Sequence, residues 1–105
     1  MMNKISYGSS GKLQLPDETY KMLTGDCDDQ ALFMAHILEE KLNKEAFIYT
    51  GTYEDALHGW VYCEGIQYEA TAGGRIITSG VAEKYVLHRA YSYKIYLTEA
   101  IKLNT

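Results

Sequence analysis

Hydrophobic residues recur every three or four positions from Cys27 to about Leu42, the longest periodic stretch of the chain. This spacing predicts a helix, and further apolar residues beside the stripe predict that the helix is largely buried. Asp26 is a suitable N-cap, and the acidic first turn complements the helix dipole. The stripe consists of Cys27, Ala31, Met34, Ala35, Leu38 and Leu42.

The rest of the chain predicts one more helix and several strands. Pro16 followed by two acidic residues favours a short helix over residues 16–23. After the long helix the apolar period changes to two, which is typical of strands. The predicted strands cover residues 46–50, 57–63, 66–71, 75–78 and 91–98, with a loop at 51–56 and a helical turn at 81–87. Helices followed by an antiparallel sheet in 105 residues predict one α+β domain, residues 1–105.

Composition and charge narrow the classes of function. The net charge is −4, and the ten Lys and Arg residues are scattered. Nucleic acid and anionic membranes select basic surfaces, so neither is expected as a partner. No apolar run reaches the roughly 18–20 residues that cross a bilayer, and the N-terminus lacks the apolar stretch of a secretory signal. A cytoplasmic location is therefore expected, with Cys27 and Cys63 as free thiols and Cys63 in a structural role.

Cys27 is the first candidate for chemistry, because it follows a glycine-containing loop and opens the long helix. Unpaired backbone N–H groups at a helix start stabilise a thiolate. The same groups can hold the oxyanion that forms when sulfur attacks a carbonyl. Acidic residues on both sides of Cys27 oppose the thiolate, so an imidazolium partner is needed.

His58 can supply that partner. A two-residue turn at 64–65 would pair His58 with Thr71 and place His58 on the same sheet face as Glu69. The two side chains would then be diagonal neighbours, roughly 7–8 Å apart at the backbone and within reach of each other. A carboxylate there can hold one imidazole nitrogen while the other faces the sulfur of Cys27. This is the arrangement of nucleophile, base and orienting acid.

Three segments resemble one family in its own order. Residues 25–32, Gly-Asp-Cys-Asp-Asp-Gln-Ala-Leu, resemble the Gly-x-Cys-x-Asp/Glu nucleophile motif of the transglutaminase-like superfamily. Residues 58–61, His-Gly-Trp-Val, resemble its His-x-Trp-Val strand. Residues 68–71, Tyr-Glu-Ala-Thr, fall where that family has an Asp-Pro-Thr segment. The resemblance spans roughly residues 16–72, over half of the chain.

This resemblance implies a papain-like core, with the nucleophile on a buried helix and the other two residues on adjacent strands. It implies Cys27 as nucleophile, His58 as general base and acid, and Glu69 as the orienting carboxylate. The implied reaction cleaves or transfers a peptide or protein amide through a thioester, as in peptidases, amidases and deamidases, without a cofactor. Glu replaces the family's Asp, and the chain is much shorter than the crosslinking enzymes.

Further residues are expected around this set. Tyr20 and Gln14 lie upstream as candidates for the side-chain half of an oxyanion hole, and Tyr20 is preferred. Asp28 is most simply a first-turn charge, with a substrate-facing role as its alternative. Trp60 shares the predicted face of His58, where it would wall the site or simply pack in the core.

Two other functions remain open at this stage. Cys27, His58, Glu69 and Asp29 offer mixed sulfur, nitrogen and oxygen ligands that suit zinc, although the sequence has no close ligand pair. The chain could also be an inactive relative that keeps the fold as a binding module.

Overall fold

The structure, a computed structural model, describes residues 5–8, 13–22 and 24–103. A five-stranded antiparallel sheet has the strand order β6-β5-β4-β3-β7, and β1 pairs with β2 in parallel. This is an α+β fold, as predicted. The elements are β1 (Ser6–Tyr7), α1 (Pro16–Met22), β2 (Thr24–Gly25), α2 (Cys27–His36), β3 (Ala46–Tyr53), β4 (Ala56–Cys63), β5 (Ile66–Glu69), β6 (Arg75–Ile76), α3 (Ser79–Ala82), β7 (Tyr85–Ser92) and α4 (Tyr93–Leu103).

Helix α2 begins at Cys27 as predicted and forms the centre of the core. The Asp26 side chain accepts from the backbone N–H of Asp29, and Asp29 accepts from the N–H of Asp26, so a reciprocal capping box fixes the helix start. A π-helical turn, Ile37–Lys41, extends the helix. Leu42 lies beyond it and is exposed, which corrects its place in the stripe.

One face of the sheet packs against α2. On this face the buried side chains lie at every second position, Ala46 and Ile48 in β3 and Val61 and Cys63 in β4. Cys63 is among them and is a free thiol, as predicted. The core combines Ala31, Leu32, Ala35 and Leu38 of the helical layer with Ala46, Ile48, Val61 and Cys63 of the sheet.

The predicted turn at 64–65 is confirmed, since Cys63 lies opposite Ile66 and both turn residues have positive φ. The predicted loop at 51–56 is wrong, because β3 continues to Tyr53 and a second two-residue turn at 54–55 joins it to β4. The predicted pairing of His58 with Thr71 is also wrong. Strand β5 ends at Glu69, and a 3₁₀ turn, Ala70–Ala72, follows.

The C-terminal third differs from the prediction. The residues expected as a strand at 91–98 divide between β7 and helix α4. Of the helical turn predicted at 81–87, the first two residues lie in α3 and the last three lie in β7. Tyr93 and Ala100 are buried, and Tyr96 and Leu97 pack against the same core. That spacing of three, four and seven is helical, and it outweighs the alternation of polar residues. Within the described residues, no helix is both long enough and apolar enough to cross a bilayer.

Candidate active site

The N-terminus of α2 lies directly against strand β4 at Gly59, the neighbour of His58. A Cβ atom at position 59 would collide with Oδ1 of Asp28, so the missing side chain leaves room for the Asp28 carboxylate where it now lies. Because Asp28 follows Cys27 in the first turn of α2, the contact also brings Cys27 to His58. Cys27 is half-buried, and its Sγ lies 4.0 Å from Oδ1 of Asp28.

Four hydrogen bonds hold the carboxylate of Glu69. Nε2 of His58 donates to Oε1 at 2.7 Å, and the Tyr85 hydroxyl donates to the same oxygen at 2.6 Å. Oε2 accepts from the Thr71 hydroxyl at 2.6 Å and from the Thr71 backbone N–H at 3.2 Å. Only 15% of the His58 side chain and 10% of the Glu69 side chain are exposed. The carboxylate is therefore fixed against one edge of the imidazole.

The protonation of His58 and Glu69 follows from these contacts. Burial raises the pKa of Glu69, but hydrogen bonds from His58, Thr71 and Tyr85 outweigh it and lower this pKa from 4.5 to about 2. Burial lowers the pKa of His58, but hydrogen bonds to Cys27 and Glu69 and the charges of both raise it from 6.5 to about 9. Because its pKa is raised in this way, His58 carries a proton at neutral pH.

Glu69→Gln is expected to destabilise the fold most at mildly acidic pH. The lowered pKa of Glu69 contributes stability above pH 4.5 that is lost as the pH falls through about 2. The raised pKa of His58 contributes stability below pH 6.5 that is lost as the pH rises through about 9. Measured by urea unfolding, the free energy of unfolding of Glu69→Gln should be lower than that of the original chain by roughly 2–3 kcal/mol near pH 5.5, and this difference should be smaller at about pH 9.5. A difference that is constant with pH would contradict the ion pair.

Three aromatic rings surround His58. Trp60 stacks on it with ring centroids 6.2 Å apart, while the rings of Tyr53 and Tyr85 lie 5.8 and 6.0 Å away. Trp60 is completely buried, and its indole N–H donates to Oε1 of Gln67 at 2.7 Å. Trp60 therefore packs behind the imidazole and holds its plane. It does not line the pocket that opens beside Cys27.

A pocket of about 340 Å³ opens beside Cys27 and His58. Its lining comes from α2, β3, β4 and β7: Cys27, Asp28, Thr50, Gly51, Leu57, His58, His88 and Arg89. Asp28 thus has a place in the pocket as well as in the first turn. Burial raises the pKa of Asp28, as does the charge of Asp26, while a hydrogen bond from the Tyr96 hydroxyl lowers it.

Tyr20, the preferred oxyanion donor, lies elsewhere. Its ring packs against Phe33, with centroids 6.3 Å apart, and it lines a separate pocket between α1 and α2. Gln14 is also turned away, because its amide nitrogen donates to the Thr19 hydroxyl and to the Thr24 carbonyl. Both predictions fail because the Tyr20 ring lies against Phe33, further along α2, and the Gln14 amide is bonded within the segment that precedes the helix.

Two other tyrosines approach Cys27 instead. Burial raises the pKa of Tyr7, and the charge of Cys27 adds to this, while a hydrogen bond from the Cys27 backbone N–H opposes it. The pKa of Tyr96 is raised by burial and by the charges of Asp28 and Cys27. Tyr7 reaches the site because β1 pairs with β2 just ahead of Cys27. Nothing local in the sequence marks either tyrosine.

Asp29 does not join Cys27, His58 and Glu69 as a fourth ligand. It is completely buried, and its carboxylate accepts from the backbone N–H groups of Gln14 at 2.7 Å and Asp26 at 3.0 Å. Burial raises its pKa to about 6. Among residues 5–8, 13–22 and 24–103, no three His, Cys, Asp or Glu side chains are grouped so that they could hold a metal ion. The zinc alternative therefore has no support in the described part of the chain.

No family model matches this chain, and no curated protein or solved structure matches it either.

Proposed function

We propose that this chain is a cysteine-nucleophile enzyme of the transglutaminase-like, papain-related kind that acts on amide bonds. Cys27 is the nucleophile, His58 the general base and acid, and Glu69 the carboxylate that orients His58. The observation that carries the proposal is that the His58 imidazole, fixed by its hydrogen bond to Glu69, lines the same open pocket as the thiol of Cys27. The nucleophile at the start of a buried helix, with its partners on adjacent antiparallel strands, supports a papain-like description of the core.

In the first half-reaction, a thioester forms and an amine leaves. Because Nε2 of His58 is bonded to Glu69, Nδ1 is the nitrogen that faces Cys27, and in the starting state of the reaction it already holds the proton given up by the thiol. The sulfur attacks the amide carbon, and its oxygen becomes an oxyanion. We assign the Cys27 N–H, which here donates to the Tyr7 hydroxyl, to this oxyanion. When the tetrahedral intermediate collapses, the C–N bond breaks and the proton on Nδ1 goes to the departing amine.

In the second half-reaction, an acceptor attacks the thioester. His58 removes a proton from water, the C–S bond breaks, and a carboxylic acid leaves while the Cys27 thiolate is restored. The balance is one amide and one water converted to one acid and one amine. The pocket is open to solvent, so we favour hydrolysis over transfer to a lysine amine. Incorporation of a fluorescent primary amine far above hydrolysis would reverse that preference.

Labelling with iodoacetamide at about pH 6, read by mass spectrometry at each cysteine, tests the proposal. We expect Cys27 to react at least about tenfold faster than N-acetylcysteine in the same solution, because an ordinary thiol with a pKa of about 8.5 is almost fully protonated there. Cys63 should remain unlabelled, since it is buried and burial raises its pKa. A Cys27 no faster than N-acetylcysteine would favour the inactive relative.

A further inference from the structure

Strand β7 carries a bulge where it passes the pocket. Thr50 pairs with Arg89 and Gly51 pairs with Leu87, so His88 is an extra residue in β7. In a regular strand, His88 and Arg89 would point to opposite faces of the sheet. Because of the bulge, both line the pocket that contains Cys27 and His58.

Gly51 makes this bulge possible. A Cβ atom at position 51 would collide with the carbonyl oxygen of Val86 and would lie 3.0 Å from the backbone nitrogen of His88. Gly51 also lies opposite His58 across β3 and β4. The missing side chain therefore brings the β7 backbone close and leaves the floor of the pocket open between His58 and Arg89.

Arg89 supplies a positive charge that is not used within the fold. It is the sole Lys or Arg among the pocket residues, and it is exposed. No carboxylate among the described residues forms an ion pair with it; Asp28, on the α2 side of the same pocket, is instead bonded to Tyr96. A guanidinium in a cleft is suited to hold a carboxylate through two parallel hydrogen bonds.

We propose that Arg89 is the specificity-determining residue of this pocket, and that the preferred substrate is an amide with a carboxylate close to the bond that is cleaved, such as an acidic peptide. This inference rests on the proposed function of Cys27 and His58. The substrate carboxylate would bind beside the positive charge of Arg89 on β7, on the side of the pocket away from the negative charge of Asp28.

Paired alkylating reagents test the inference without a known substrate. Iodoacetate and iodoacetamide react with a thiolate in the same way and differ in one negative charge. We expect the ratio of the Cys27 labelling rates, iodoacetate over iodoacetamide, to fall by about threefold or more in Arg89→Gln, because a nearby positive charge concentrates the anion. Arg89→Lys should retain most of the ratio, and about 1 M salt should lower it in the original chain.

Lys41→Gln is the matched control, since it removes one positive charge from the pocket that contains Tyr20 and not Cys27. Its ratio should equal that of the original chain. If Arg89→Gln leaves the ratio unchanged while iodoacetamide still labels Cys27 quickly, the inference is overturned and the proposed function stands. If both reagents label Cys27 slowly in the original chain, the proposed function fails, and the substrate inference fails with it.

Discussion

Replacing His58 by alanine should slow the iodoacetamide labelling of Cys27 at about pH 6 by roughly 100-fold. The thiolate is the reactive form of a cysteine, and this variant removes the imidazolium charge that would stabilise it. Asp26 and Asp28 stand beside the sulfur and oppose a thiolate, which leaves the imidazolium as its main support. Amide turnover by the same variant should fall at least as far.

His36→Ala is the control for this experiment, because it removes an imidazole that bonds Tyr93 and lies outside the pocket of Cys27. Its labelling rate should match that of the original chain. The rate of Cys27 labelling in Glu69→Gln should lie between the rates in His58→Ala and His36→Ala, since the glutamine keeps an acceptor for Nε2 and loses the negative charge that favours the imidazolium. Equal rates in all three variants and the original chain would show that Cys27 does not depend on His58.

The contact of His58 with Glu69 could be predicted because a short-range feature sets it. The turn at 64–65 fixes the register of β4 against β5, and register decides which side chains share a face. The start of α2 could also be predicted, since Asp26 and Asp29 form their capping box within four residues. In each case the deciding contacts lie close together along the chain.

The rest of the site depends on contacts between distant segments. Tyr85 is 16 residues from Glu69, and Tyr96 and Arg89 come from later elements that the sequence did not place correctly. The alternating tyrosines after residue 90 suggested a strand, whereas packing of Tyr93 and Ala100 into the core made a helix. With that helix called a strand, neither the β7 bulge nor its pocket residues could be foreseen.

Gly59→Ala should separate the geometry of the site from the stability of the fold. The added methyl group would occupy the position of Asp28 Oδ1, so the Asp28 side chain must shift, and we expect this shift to carry the first turn of α2 and Cys27 away from His58. A displacement of about 1 Å at a reacting pair can cost about 100-fold in rate. We therefore expect Cys27 labelling at about pH 6 to slow by roughly 10- to 100-fold. Gly80→Ala, where an added Cβ meets no atom within 4 Å, should label normally.

Combining Gly59→Ala with Asp28→Ala tests whether the effect comes from a clash with the Asp28 carboxylate. Without the carboxylate, the nearest remaining atom to a Cβ at position 59 is the Asp28 Cα at 3.8 Å, an ordinary contact. Gly59→Ala should then have almost no effect, and the double variant should label Cys27 at the rate of Asp28→Ala alone. Such strong non-additivity identifies a steric contact between the two positions. If Gly59→Ala slows labelling equally with and without the Asp28 carboxylate, the glycine acts on β4 itself, and the close approach of α2 is not what brings Cys27 to His58.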